Sequence, residues 1–243
     1  MKSAEKSHPS MAQGLAKGID RSRPMGVQIY DMIRLGIIQE DLEPGAAINE
    51  TDLASWFDVS RTPVREAYQR LIEDGLIETR SKVGTVVSKI DEARVREGII
   101  VRRALEREVV RLLCDGAVDL RPLDSIVALQ RVALEHGDHI AFFRADEDFH
   151  AEMANLAELP SAWRLAHSVK AHTDRARILL TGHVPNRINA AFQEHLLIID
   201  AIKSRDVELA QALINTHINS AFEKSADLAS GATRAPQKLE IKQ

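Results

Sequence analysis

A single cysteine, Cys114, in 243 residues leaves nothing for an internal disulfide to pair with. That fits a chain kept in a reducing cytoplasm. No apolar run approaches the roughly 20 residues that a membrane-spanning helix requires, and no hydrophobic stretch near the N-terminus precedes a cleavage site. Neither a span nor a signal peptide is expected. Aromatic residues are scarce at 4%, against 44% hydrophobic residues overall, so the cores must be aliphatic, which suits helical packing. A surplus of positive charge is also missing, the formal net charge being −4. This argues mildly against a nucleic-acid protein, yet phosphate neutralisation needs only one basic face. The length allows two modest domains.

The most informative stretch is Asp58 to Gly75, D-V-S-R-T-P-V-R-E-A-Y-Q-R-L-I-E-D-G. Val64, Ala67, Tyr68, Leu71 and Ile72 fall at helical spacing, while Arg61, Arg65, Gln69 and Arg70 lie mostly off that face. Ser60 or Thr62 can cap the start, Pro63 fits the first turn and Gly75 suits the stop. A short basic helix with an apolar back has the shape to enter a DNA major groove, where arginine grips guanine O6 and N7. A solvated surface helix fits these residues equally well. Upstream, Val27 to Ile38 is an amphipathic helix. Asn49 can cap a second, whose packing residues are Leu53, Ala54, Trp56 and Phe57. Downstream, Leu76–Thr79 and Thr85–Ser88 form a hairpin with a basic tip. Helix, helix-turn-helix and hairpin in that order make the winged helix-turn-helix plan. Arg61, Arg65, Arg70, Arg80 and Lys82 are its candidate basic face.

These residues resemble the DNA-binding domain of the GntR family of bacterial transcription regulators. The likeness runs through I-I-Q-E-D-L-E-P-G-A-A-I-N-E-T-D-L-A, V-S-R-T-P-V-R-E-A-Y-Q-R-L, D-G-L-I-E-T-R and V-G-T-V-V. It implies that Arg61 and Arg65 read bases, that Thr62 touches the DNA backbone, and that the wing around Lys82 and Gly84 enters the minor groove. Many relatives carry a basic residue where this chain has Thr51, so one contact differs.

From Asp91 the pattern is helical almost to the end, with helices expected at 91–114, 121–136, 138–157, 161–180, 186–203 and 206–228. The fold class is therefore mainly α: a winged helix-turn-helix domain followed by an all-α bundle of six to seven helices. The expected boundaries are a loose tail at 1–23, the DNA-binding domain at 24–88, the helical domain at 89–229 and a second tail at 230–243. Within the bundle, Asp146 and His150 stand four apart on one helix, so their side chains meet. His195 and His217 lie on the last two helices. Together they are a donor set for Zn²⁺, Ni²⁺ or Mn²⁺, although an Asp–His pair at this spacing is more often a surface ion pair. The Arg/Glu-rich run Arg102 to Arg111 reads as a helix exterior apart from Arg102. Trp163 and Cys114 read as core.

Residues 92–225 resemble the ligand-binding (FCD) domain of the FadR-type branch of the same family. The likeness lies in V-R-R-A-L-E-R-E-V-V-R-L, D-E-D-F-H, E-H-L-L-I-I-D-A-I and D-V-E-L-A-Q-A-L-I-N-T-H-I. It implies that Asp146, His150, His195 and His217 ligate a divalent metal, most simply zinc, and that Arg102 faces the carboxylate of an effector. His172, Arg175 and Arg177 are further candidates for that pocket, with solvated side chains at helical spacing as the alternative. Six helices look more like VanR-type members. Relatives usually have a small-Gly-Asn element where this chain has Ala157-Glu158-Leu159-Pro160, so the pocket should differ in shape. The resemblance implies a cytoplasmic homodimeric regulator, most simply a repressor, that binds a near-palindromic operator and answers to a small organic acid. It is not expected to be an enzyme. Two alternatives stay open: a regulator whose metal is only structural, and a metalloenzyme joined to a DNA-binding domain, for which no general acid or base can be assigned.

Overall fold

The computed structural model describes residues 19–184 and 186–229; the tail at 230–243 and all but the last five residues of the tail at 1–23 lie outside it. Those five are pinned rather than loose: Asp20 N donates to Gln28 Oε1 and Gln28 Nε2 donates back to Asp20 O, both at 2.8 Å. The chain divides into two compact units between Asp91 and Glu92.

The first unit contains α1 (Met25–Ile38), α2 (Glu50–Trp56), α3 (Arg61–Glu73), β1 (Ile77–Arg80) and β2 (Gly84–Val87). Its core is aliphatic: Ile29, Ile33 and Ile37 of α1 meet Val64, Ala67 and Leu71 of α3, with Leu76 and Val87 below. α1 and α3 approach so closely at Gly26 that a Cβ there would lie 3.3 Å from Pro63 O. Asn49 caps α2 by accepting from Thr51 N at 2.7 Å. Ser60 occupies the cap position of α3 but its side chain makes no capping hydrogen bond, contrary to expectation. Ile72 and Trp56, expected to pack, are 43% and 40% exposed, because α3 and α2 turn these positions away from the core. The strands pair antiparallel from Ile77↔Val87 to Arg80↔Gly84. Positive φ at Lys82 (64°) and Gly84 (96°) makes the tight tip between them.

The second unit is all helical: α4 (Glu92–Asp115), α5 (Arg121–His136), α6 (His139–Leu156), α7 (Pro160–Val169), α8 (Ala171–His183), α9 (Arg187–Lys203) and α10 (Val207–Ala229). Its seven helices among the described residues exceed the six read from periodicity, because the stretch 161–180 is two helices that break at Lys170. Apolar spacing continues through the break, so periodicity does not reveal it. What holds it is burial: Lys170 is 0% exposed, and its Nζ donates to both Asp174 carboxylate oxygens at 2.8 Å. α4 packs on that break at Gly98, where a Cβ would lie 3.2 Å from Val169 O and Lys170 Cα. α6 is capped by Asp138, which accepts from Ala141 N at 2.8 Å. α4 also packs along α10, α5 along α6 and α9 along α10, which brings α6, α9 and α10 around one interior.

Candidate functional site

Each helix contributes differently to that interior. α6 supplies Asp146 and His150 one turn apart, α9 supplies His195 and α10 supplies His217. All four side chains are buried, and one ligand atom from each lies within 4.8 Å of all the others. His195 Nε2 is 3.4 Å from His217 Nε2, which is 3.2 Å from His150 Nε2. Asp146 places its oxygens 3.5 Å from His195 Nε2 and 3.6 Å from His150 Nε2. Metal–donor bonds of about 2.0–2.1 Å put the corners of a coordination tetrahedron roughly 3.3–3.4 Å apart, close to these spacings.

The protons around the rings bear on whether the cluster can hold a cation. Gln130 Nε2 donates to Ala145 O at 3.2 Å, which turns Gln130 Oε1 toward His195 Nδ1 at 3.0 Å. An amide oxygen only accepts, so His195 carries its proton on Nδ1. Glu194 Oε2 accepts from His217 Nδ1 at 2.6 Å and fixes that ring in the same way. Two nitrogen lone pairs therefore face one another at 3.4 Å with no proton between them and an aspartate alongside. Burial drives the His195 and His217 pKa values below the usual 6.5, which keeps both rings neutral and able to ligate. Burial alone would raise the Asp146 carboxyl, but Arg177, which donates to Asp146 Oδ2, holds it well below the usual range. The Phe149 ring stacks 4.3 Å from His195 and fixes its plane. The donor set fits a borderline divalent ion.

Several residues of this site were not recognised from the sequence. Glu106, read as helix exterior, is 1% exposed and accepts from Arg102 Nε at 2.7 Å. Burial would raise its carboxyl, but Arg102 and His150 bring it down to about 2. Gln130 carried no signal beyond being polar, and Glu194 was noted only as the residue that opens the E-H-L-L-I-I-D-A-I stretch. Arg177 Nη1 also donates to Glu147 Oε1 at 2.7 Å, and Glu147 accepts in turn from Lys170. Of the candidate effector residues, Arg102 and Arg177 line a cavity of about 10 Å³ with Thr173, Val95, Ile99, Ala176 and Ile218. That is room for about one water molecule. His172 is buried but does not line this cavity.

In the first unit, Arg61, Thr62 and Arg65 are exposed at the start of α3, and Lys82 and Gly84 are exposed at the hairpin tip. Arg61 Nη2 donates to Thr51 Oγ1 at 3.1 Å, and Arg65 Nε donates to Glu50 Oε2 at 3.2 Å. Two further members of the expected basic face are also exposed and have partners within the unit. Arg70 lies 3.9 Å over the Tyr30 ring, and Arg80 Nη2 donates to Glu78 at 2.6 Å.

Comparison with known proteins agrees with both halves. Residues 26–87 match the model of the bacterial regulatory proteins of the gntR family, and residues 98–220 match the FCD domain. The chain is 31% identical over 207 residues to the HTH-type transcriptional repressor RspR of Escherichia coli K12, covering 84% of this chain and 90% of that protein. It is also 31% identical to the probable D-xylose utilization operon transcriptional repressor of Paenarthrobacter nicotinovorans, covering 86% of this chain and 92% of that one. A crystal structure of a putative GntR regulator from Rhodococcus sp. RHA1 superposes with a TM-score of 0.70 at 26% identity, over 86% of this chain and 99% of that one. E. coli McbR/YncC shares the fold, with a TM-score of 0.73 at 19% identity over 84% and 98% of the two chains. The chain belongs to the GntR family of bacterial transcription regulators, with an FCD domain behind its winged helix-turn-helix. It is a DNA-binding transcriptional regulator.

Proposed function

We propose that the protein is a repressor whose operator affinity is set by a small organic acid bound beside a divalent ion held by Asp146, His150, His195 and His217. The observation that carries this reading is the convergence of three buried ring nitrogens and a carboxylate at close spacing. Three nitrogens and one oxygen are donors that zinc accepts, and nickel and manganese accept the same set. When bound, the ion supplies a positive charge that attracts a carboxylate. Arg102 and Arg177, lining the adjoining cavity, orient that carboxylate. The cavity holds about one water, so the lining side chains must move to admit an acid. The same tightness supports a second reading, in which the ion only braces the bundle.

On the DNA side, Arg61 and Arg65 read base edges, Thr62 anchors a phosphate, and Lys82 and Gly84 present the wing to the minor groove. A near-palindromic operator requires two heads, hence a homodimer. Exposed Leu165 and Val169, one turn apart on α7, offer apolar side chains to a second copy.

The test pairs His195→Ala with His217→Ala in the full chain. Elemental analysis is expected to find about one ion per wild-type chain and none in the double variant. Affinity for a selected operator should shift with organic acids in the wild type alone. Equal metal content in both proteins overturns the reading. Metal present with operator affinity indifferent to every acid favours the bracing role.

A further inference from the structure

We propose that Glu106 is a positioning residue that joins the anion-facing Arg102 to the metal ligand His150, one shared carboxylate fixing which nitrogen of His150 faces the ion. The inference rests on the metal reading above. Glu106 projects from α4 into the interior, 1% exposed. Its Oε1 accepts from Arg102 Nε at 2.7 Å, and its Oε2 lies 2.8 Å from His150 Nδ1. That second contact is close but off the hydrogen-bonding line. Glu106 Oε2 and His150 Nδ1 are therefore buried without a hydrogen bond, and so is Nη2 of Arg102. Buried polar atoms without partners are costly and rare, so three on these joined side chains need a reason. A small rotation of the His150 ring would set Nδ1–H on Glu106 Oε2 and leave the Nε2 lone pair for the ion. His195 and His217 are already seated in this way by Gln130 and Glu194. His150 is the ligand of the three whose seat is not closed.

The chemistry of the shared group makes the idea specific. An ionised carboxylate accepts at both oxygens, from Arg102 on one side and His150 on the other. Glutamine is nearly the same size but accepts at one oxygen only. Its NH₂ must then face either Arg102, which has only donors, or His150 Nδ1. In the second case Nδ1 becomes an acceptor, the ring proton moves to Nε2, and the lone pair needed by the ion is lost.

The experiment uses the full-length chain and zinc alone as probe. In Glu106→Gln, competition with a chromophoric chelator should show zinc affinity reduced about 10- to 100-fold, the usual range for loss of an outer partner of a metal-bound histidine. Nitrogen-15 NMR of the histidine rings should move His150 from the Nδ1–H to the Nε2–H form while His195 and His217 keep theirs. General structural damage would disturb all three. Should the glutamine variant not fold, Arg102→Lys tests the same path. It retains the charge but loses the fixed Nε donor, and zinc affinity should fall although residue 102 touches no ligand atom. A wild-type chain that binds no zinc overturns the metal reading and this inference with it. Wild-type zinc binding, with the variant's affinity and His150 tautomer unchanged, overturns this inference alone.

Discussion

The two units hold their arginines in opposite ways. In the DNA-binding unit Arg65 meets Glu50 at 3.2 Å with the two side chains 66% and 36% exposed, and water is on hand to replace either partner. In the helical unit Arg177 is 8% exposed and joined to Asp146 and Glu147, themselves 4% and 16% exposed. The guanidinium proposed to exchange its partner for a base edge is wet and loosely engaged. The one beside the candidate metal ligand Asp146 is desolvated and tied at both Nη groups. Exposed pairs contribute about 0–1 kcal/mol, while breaking a buried one costs about 3–5 kcal/mol because a charge is left stranded.

The largest effect should therefore come from the buried side. Arg177→Met leaves Asp146 and Glu147 without their guanidinium and is expected to destabilise the metal-free protein by about 3–5 kcal/mol, read as a lower urea midpoint. A loss below about 1 kcal/mol would put Arg177 in the same class as the exposed pairs. The histidines add a pH dependence of definite sign. Their folded pKa values are lowered below 6.5, so the unfolded chain binds protons first. The stability they contribute is complete above about pH 6.5 and is lost as pH falls toward their folded pKa values. The carboxylates of the site are held low and respond only in a more acidic window. Urea midpoints of chelator-stripped protein should fall from pH 7 to pH 5, and a flat profile would show that the two rings are not buried as neutral groups.

How far the two units could be read in advance follows the same division. The proposed readers Arg61, Thr62 and Arg65 sit in one contiguous, exposed stretch, so local spacing and likeness to relatives were enough to single them out as candidates. Asp146 and His150 are four residues apart, again a local relation. Everything that seats the ligands is long-range. Gln130 meets His195 across 65 residues and Glu194 meets His217 across 23, and no local pattern separates such a polar residue from a solvated one. Glu106 was hidden because Arg/Glu-rich helical runs ordinarily face water. Lys170 was hidden for the converse reason, since the apolar periodicity runs unbroken past the point where its buried ammonium ends a helix. Glu158 is a smaller case: it takes φ 59°, a left-handed position that favours glycine, and the sequence showed the departure from the family pattern without its backbone consequence.

On the exposed side effects should be smaller and should appear in DNA binding, not stability. Arg65→Lys removes the planar fork and is expected to reduce discrimination at its base by about 1–3 kcal/mol. Its unfolding free energy, from urea titration, should move by no more than about 0.5 kcal/mol, as for other exposed positions. Competition between a selected operator and singly substituted versions measures the first quantity. Loss spread evenly over all base positions would show that Arg65 touches phosphate instead.

The smallest effect, and the sharpest on the contrast between wet and dry arginines, belongs to Glu50→Gln. Glu50 occupies only the Nε of Arg65, which leaves both Nη groups open to a guanine edge. Its negative charge also opposes the phosphates. At about 7 Å in water one unit charge is worth roughly 0.6 kcal/mol, about threefold in affinity. The substitution removes that repulsion and, at the same time, loosens the orientation of Arg65. Non-specific affinity should rise about threefold at low salt and return to the wild-type value once the Debye length falls to about 3 Å near 1 M salt. Specific affinity, where the two consequences oppose each other, should change less. A loss of more than about tenfold (1.4 kcal/mol) for the operator would mean that Glu50 fixes Arg65 as firmly as Asp146 and Glu147 fix Arg177, and the distinction between the two units would no longer hold.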